Sequence, residues 1–308
     1  MKRKLPTLVL VALVICVILY FALGHSIKKE FPFLQRTEGF AVEKVFHFPK
    51  LYDSFYASIY DQLFYIPAKN KLEISDIESQ LIKNKYEQVR FLDAGCGTGR
   101  HLALLSRKMK TTGLDISKAM LRKARQNTKD SEYPVELVQG DMQDISLFPP
   151  RSFTHLSCFY FTIYYFENPA TLFRNFFEWL VPGGYAIIHL VIPSKFDPLV
   201  DAASPFPAFS LQKYSKKRVT QSTVYFNNFV YKADFKTLPT SRRAVFTERF
   251  VFKKGDRLRK NIHRLYMKPI KQYIQIAKEN GFTPTGRTHL LNSGFEYHFL
   301  YFFQKNKQ

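Results

Sequence analysis

Cysteine is nearly absent from this chain. Its 308 residues hold three, Cys16, Cys96 and Cys158. Their spacing fits neither a disulfide framework nor a zinc site. No metal-ligand cluster and no nucleophile triad is visible, so no metal is expected. No N-x-S/T acceptor carries an allowed middle residue, which withdraws one support for secretion without excluding it. No internal repeat is visible, so a solenoid is not indicated. Acids are scarce as well: 25 Asp and Glu face 46 Lys and Arg, for a net charge of +21. Apolar residues are plentiful, at 46%, with 31 Phe and 18 Tyr, enough for a substantial core.

The charge is unevenly spread. Residues 205–265 hold 15 Lys and Arg against 3 Asp and Glu. Such a field attracts anions: membrane headgroups, nucleic acid or an acidic substrate. The other reading is a generic basic surface. At the N-terminus, Leu5 to Leu23 is an uncharged run of 19 residues between basic flanks. That length spans a bilayer as a helix and exceeds the usual signal-peptide core. The pattern predicts a transmembrane anchor over 1–24, a juxtamembrane linker over 25–50 and a single-pass membrane protein. The alternative is a cleaved signal peptide and a secreted or lumenal chain.

Glycine is scarce too, at 13 residues, yet three of them fall within five positions. Val89 to Gly99 reads V-R-F-L-D-A-G-C-G-T-G: a short apolar strand, the acid Asp93, then Gly95, Gly97 and Gly99, then a helical run. Glycines so spaced allow a sharp turn and let a ligand lie against bare main chain. The dinucleotide pattern G-x-G-x-x-G is not met. Asp115 follows Asp93 by 22 residues at the tip of a second predicted strand, where an acid accepts from ribose hydroxyls. Ser117 is placed to cap the next helix.

Asp93-Ala94-Gly95-Cys96-Gly97-Thr98-Gly99 resembles motif I of the class I S-adenosylmethionine (SAM) methyltransferases, (D/E)-x-G-x-G-x-G, at every defined position. Leu180-Val181-Pro182-Gly183-Gly184 resembles the family's turn before its fifth strand. The resemblance implies a Rossmann-like α/β fold: a seven-stranded, mostly parallel sheet, helices on both faces, and the seventh strand inserted antiparallel. It implies a catalytic domain over 51–308 facing the cytosol, where SAM is made. It also implies SAM as cofactor, with Asp115 on the ribose, Asp141 on the adenine amino group and Met142 against the ring. Asp141 could instead cap the following turn. Arg100, directly after the loop, is a candidate partner for the methionine carboxylate of SAM, or a solvent-facing residue.

Tyr52, Tyr56 and Tyr60 recur at helical spacing. They resemble a family helix that closes over the cofactor, with Tyr60 toward the cofactor and Tyr56 toward the substrate. The alternative is a packing stripe. The run after the predicted fourth strand adds Phe159, Tyr160 and Tyr164 to the acceptor side. It lacks the Asn/Asp-Pro-Pro-aromatic motif of nucleic-acid amino methyltransferases. Within 193–265, T-V-Y-F-N-N-F-V-Y-K-A-D-F and R-A-V-F-T-E-R-F-V-F-K-K alternate with period two and predict two antiparallel strands inserted above the substrate side. Tyr160, Glu248 and His263 are the candidate catalytic groups, and Arg249 is a candidate substrate clamp; a structural role is the alternative for each. His155 and His189 lie within apolar strands and read as core histidines. The function expected is methyl transfer to a small-molecule or lipid-like acceptor. Methylation of RNA or protein through the basic insertion, and a non-catalytic binding module, are the alternatives; nucleic acid is not favoured.

Overall fold

The computed structural model describes residues 42–82, 85–203, 212, 215–254 and 257–307. Its centre is a seven-stranded sheet. In chain order its strands are β2 (Arg90–Ala94), β3 (Lys110–Asp115), β4 (Val135–Gln139), β5 (Phe153–Cys158), β6 (Leu180–Val191), β11 (Phe282–His289) and β12 (His298–Lys305). The order across the sheet is β11-β12-β6-β5-β2-β3-β4. The pairs among β2 to β6 are parallel, and β12 runs antiparallel to both β6 and β11. This is the inserted seventh strand that the resemblance implies.

Alternation along the central strands divides the core. Leu92, Leu156 and Ile188 face one side with α5 (Pro169–Trp179) and α6 (Ile270–Glu279). Phe91, Ile187 and Phe302 face the other with α2 (Pro67–Ile77) and the short α3 (Leu102–Leu105). Burial on both faces is why β6 reads as a nearly unbroken apolar run. Local signals set the helix ends. Asp53 accepts from the Tyr56 N–H to start α1 (Ser54–Phe64). Ser117 accepts from the Met120 N–H to start α4 (Lys118–Asn127), as its position in the sequence predicts.

A second, five-stranded sheet has the order β1-β10-β9-β8-β7, from β1 (Val42–His47), β7 (Gln221–Tyr225), β8 (Phe229–Leu238), β9 (Arg243–Phe252) and β10 (Arg257–Tyr266). The two expected stretches form three strands, β7, β8 and β9, and β10 and β1 complete the sheet. The first alternating stretch breaks at Phe226–Asn228 into the β7–β8 hairpin. The last part of the expected linker, 42–47, is instead edge strand β1, parallel to β10. The sheet covers α1: Phe55 meets Phe229, Phe250 and Phe252 edge-on or tilted. Arg259 of β10 fastens the corner with two bonds to Asp53 (2.7 and 2.9 Å) and one to the Leu51 carbonyl (2.8 Å).

The membrane assignment is corrected. Among the described residues no helix is long and apolar enough to cross a membrane. The run 5–23, on which the anchor was placed, lies outside the described residues. No single-pass placement is carried forward.

Candidate functional site

The three motif glycines hold left-handed φ angles for different reasons. A Cβ on Gly95 would lie 2.5 Å from Thr162 Cγ2, and one on Gly99 would lie 2.8 Å from Ala124 Cβ. Packing requires those two. Gly97, at φ +55°, has nothing within 4 Å of where a Cβ would stand. Its bare face looks into open space, the cradle a bound nucleoside needs. Beside it, Asp115 accepts from the Gly97 N–H (2.9 Å) and the Ser117 N–H (2.8 Å). Burial outweighs those two bonds and pushes the Asp115 carboxyl up to about 6. Asp93 lies beneath the loop and accepts from the Ser157 hydroxyl at 2.8 Å. Burial raises its carboxyl as well.

Three cavities meet here, and Tyr60 and Thr162 line all of them. One, of about 560 Å³, lies over Gly97, Asp115, Asp141 and Met142. A second, of about 570 Å³, runs under α1 past Asp93, Arg100 and Lys69. The third, of about 740 Å³, opens toward the second sheet and is walled by Tyr56, Tyr160, Phe246 and His263. The residues fit SAM: Asp115 and Met142 would hold its nucleoside, the loop and Arg100 its methionine end. α1 is latched over the loop. Asp61 accepts from the Thr98 hydroxyl (2.5 Å), from Arg100 Nε (2.8 Å) and from Asn127 Nδ2 (3.2 Å). Arg100 also stacks on Tyr65.

Strand alternation builds a polar chain into the third cavity's wall. Glu248 on β9 stands opposite Asn261 on β10 and Ala233 on β8, so His263 and Tyr231, two residues on or back, share its face. The Glu248 carboxylate is fully buried and takes four donors: Tyr56 and Tyr231 hydroxyls (both 2.8 Å), Asn261 Nδ2 (3.0 Å) and His263 Nε2 (2.8 Å). The other ring nitrogen of His263 bonds the Tyr165 hydroxyl (2.5 Å), which bonds the Tyr52 hydroxyl (2.8 Å). Burial raises both of these phenols well above their ordinary range, so they stay protonated.

Several expected residues land elsewhere. Arg249 alternates with Glu248 and points outward, exposed, so it does not reach the cavity. Tyr164 is fully buried and its hydroxyl accepts from the Val191 N–H (2.8 Å); it is core, not acceptor wall. Phe159 packs on His101 (ring centroids 4.1 Å apart), lining the Arg100 cavity rather than the acceptor side. Arg100 lines the second cavity while its Nε bonds Asp61, a partner unseen in the sequence. Asp141 both lines the nucleoside cavity and accepts from the Gln143 N–H (3.0 Å), so the capping alternative also holds. Tyr160 sits at the end of β5 with a left-handed φ of 52° and faces two cavities. His155 and His189 are buried as read; burial pushes them down to about 4 and about 3. Part of the basic excess is structural. Arg259 is buried on Asp53, and Arg218 donates to the carbonyls of Pro193 and Phe196. Sequence reasoning missed Asp61, Thr162, Tyr165 and Asn261. Only Asn261 left a signal: it shares strand parity with His263.

A methyltransferase-domain family model matches residues 91–184. Over 144 residues the chain is 32% identical to the dTDP-3-amino-3,4,6-trideoxy-α-D-glucopyranose N,N-dimethyltransferase of Streptomyces venezuelae, covering 45% of this chain and 58% of that protein. Over 124 residues it is 32% identical to the carboxy-S-adenosyl-L-methionine synthase of Aeromonas hydrophila, covering 37% and 48%. The match thus spans about half the length of the curated relatives. Among solved structures, SAM-bound CalS10, an amino pentose methyltransferase from Micromonospora echinaspora, shares the fold with a TM-score of 0.59. That match covers 82% of this chain and 97% of CalS10 at 18% identity.

Proposed function

We propose that this chain, a class I SAM-dependent methyltransferase by its domain match and fold, methylates a small polar acceptor bound in the cavity beneath the second sheet. The single observation that carries this reading is the meeting of three cavities at Tyr60 and Thr162. When bound, SAM supplies a methyl carbon whose bond to sulfur breaks as the acceptor attacks, with the electron pair staying on sulfur. The chain's own part is positioning and exclusion of water. Asp115 would hold the sugar, and the loop backbone would support the nucleoside. Tyr60 and Thr162 stand at the crossing between donor and acceptor cavities. The acceptor cavity is walled mainly by aromatic side chains, with His263 among its few polar groups. That lining suits a compact acceptor with one or two polar groups, such as a sugar ring bearing an amine or hydroxyl. The relative from Streptomyces venezuelae, an amino-sugar methyltransferase by name, points to the same class. A polymer acceptor needs an open groove and is not favoured by this walled space.

The test is a calorimetric titration with SAM, followed by labelled methyl transfer to a panel of amino and hydroxy sugar nucleotides. The expected result is SAM binding that Gly97→Arg abolishes, and transfer to at least one sugar. No SAM binding by the folded wild type would end the methyltransferase reading. Binding with transfer only to RNA or protein fractions would end the small-molecule reading.

A further inference from the structure

We propose that Tyr52, Tyr165 and His263 form a proton wire, anchored by Glu248, that carries the acceptor's proton away from the reacting atom into the protein interior. The proposal rests on the small-molecule reading above and deepens it: the acceptor is a nucleophile that arrives carrying a proton, an ammonium or a hydroxyl.

The direction of every bond follows from the groups present. Glu248 takes four donors, so the His263 Nε2–H donates to it. In the neutral ring Nδ1 is then an acceptor, and the Tyr165 O–H must donate to it. Tyr165 has spent its hydrogen, so the Tyr52 O–H must donate to the Tyr165 oxygen. The Tyr52 oxygen keeps lone pairs for a further donor. Tyr52 and Tyr165 line both the nucleoside cavity and the acceptor cavity. The chain also deepens in order. Tyr52 and Tyr165 are half-buried, His263 is 3% exposed and Glu248 0%.

One proton entering the wire reverses it. The acceptor's N–H or O–H bond breaks, its electron pair stays on the acceptor, and the proton joins the Tyr52 oxygen. The former Tyr52 hydrogen passes to Tyr165, and the former Tyr165 hydrogen passes to His263 Nδ1. The imidazolium so formed donates from Nδ1 to Tyr165 and from Nε2 to the Glu248 carboxylate, which stabilises the charge. Both phenols end as neutral hydroxyls, as they began. Tyr56, Tyr231 and Asn261 hold the carboxylate in place without carrying the proton. A purely structural polar cluster has no need to end at a half-buried hydroxyl shared by two cavities.

Two measurements on the full chain test this. The first needs no acceptor. Nitrogen-15 histidine NMR of the S-adenosylhomocysteine complex at pH 8, assigned with His263→Gln, should show His263 as the Nε2–H tautomer. Tyr52→Phe should shift its Nδ1 resonance, although Tyr52 does not bond the ring. An Nδ1–H tautomer, or an Nδ1 signal that Tyr52→Phe leaves unmoved, overturns the wire. The second uses dTDP-3-amino-3,4,6-trideoxy-α-D-glucopyranose as acceptor. Tyr52→Phe and Tyr165→Phe should each lower kcat about 100-fold, leave the KM for SAM within about twofold and abolish the solvent deuterium effect of the wild type. Unchanged kcat in both variants overturns the proposal. Failure of the wild type to turn over this sugar while binding S-adenosylhomocysteine counts against the amino-sugar class alone, and the NMR result then decides the wire. Failure to bind S-adenosylhomocysteine counts against the methyltransferase reading.

Discussion

If Asp115 holds the ribose as proposed, SAM affinity should depend on pH by an amount that its raised carboxyl sets. Burial raises its carboxyl to about 6, although two backbone N–H groups favour the ionised form. On the proposed reading ribose hydroxyls would donate to the ionised carboxylate, so the protonated protein should bind poorly. With a value near 6, the carboxylate is about nine-tenths ionised at pH 7, half at pH 6 and a tenth at pH 5. Affinity for SAM should therefore fall about tenfold between pH 7 and pH 5, or about 1.4 kcal/mol. Asp115→Asn should bind weakly and show a flat profile over the same range, which isolates this group from Asp93. For the ligand-free protein the sign is reversed. A folded value above the unfolded 3.8 means that stability from this group is complete below 3.8 and is lost as pH rises through 6. The loss amounts to about 3 kcal/mol. Calorimetry at five pH values, with melts of both proteins, checks both statements. A wild-type affinity that is flat from pH 5 to 7, or parallel profiles for wild type and Asp115→Asn, would refute the reasoning.

Other substitutions separate packing from binding. Gly97→Ala carries only the left-handed strain, about 1–2 kcal/mol, because no atom lies within 4 Å of the new methyl, yet it should remove measurable SAM binding. Gly99→Ala adds a collision with Ala124 at 2.8 Å and should cost about 1–3 kcal/mol more in denaturant titrations; equal losses for the two would contradict the distinction. Glu248→Leu strips the acceptor from four buried donors, at about 1 kcal/mol each. The melting point should drop by roughly 8–16 °C, and a drop under about 2 °C would show that the network holds nothing together. Asp61→Ala and Arg100→Ala should couple by about 1 kcal/mol in a double-mutant cycle, since the Arg100 side chain is a third exposed. Purely additive losses would deny the latch.

The parts legible in the sequence were those in which neighbouring residues act together. Motif I sets Asp93 at the end of β2 and three glycines in the turn after it, so its shape follows from seven letters. Asp115 is found by counting from it. The central sheet follows from apolar strands alternating with capped helices. The second sheet was half legible. Period-two alternation marked β8 and β9, but the turn at Phe226–Asn228 carries no glycine or proline, so one alternating run concealed a hairpin. β10, R-L-R-K-N-I-H-R-L-Y, holds charges on its outward face and buries Arg259 and His263 in polar contacts, which hides it from any hydrophobic pattern. β1 passed for linker because its register comes wholly from β10. The relay was invisible for the same reason. Tyr52, just before α1, and Tyr165, just after β5, are 113 residues apart and meet only where the folded chain brings them against His263 of β10. Arg249 was misjudged by one position of strand parity: Glu248 faces in, its neighbour faces out.

On the proposed reading a nucleoside would lie on Gly97 with its sugar on Asp115. A crystal structure of the full chain grown with S-adenosylhomocysteine tests it most directly. The expected density shows ribose hydroxyls bonded to the Asp115 carboxylate, the base beside Met142, and the sulfur at Tyr60 and Thr162 facing the cavity lined by His263. Density for the nucleoside elsewhere, or an empty loop with side chains filling the space above Gly97, would contradict it.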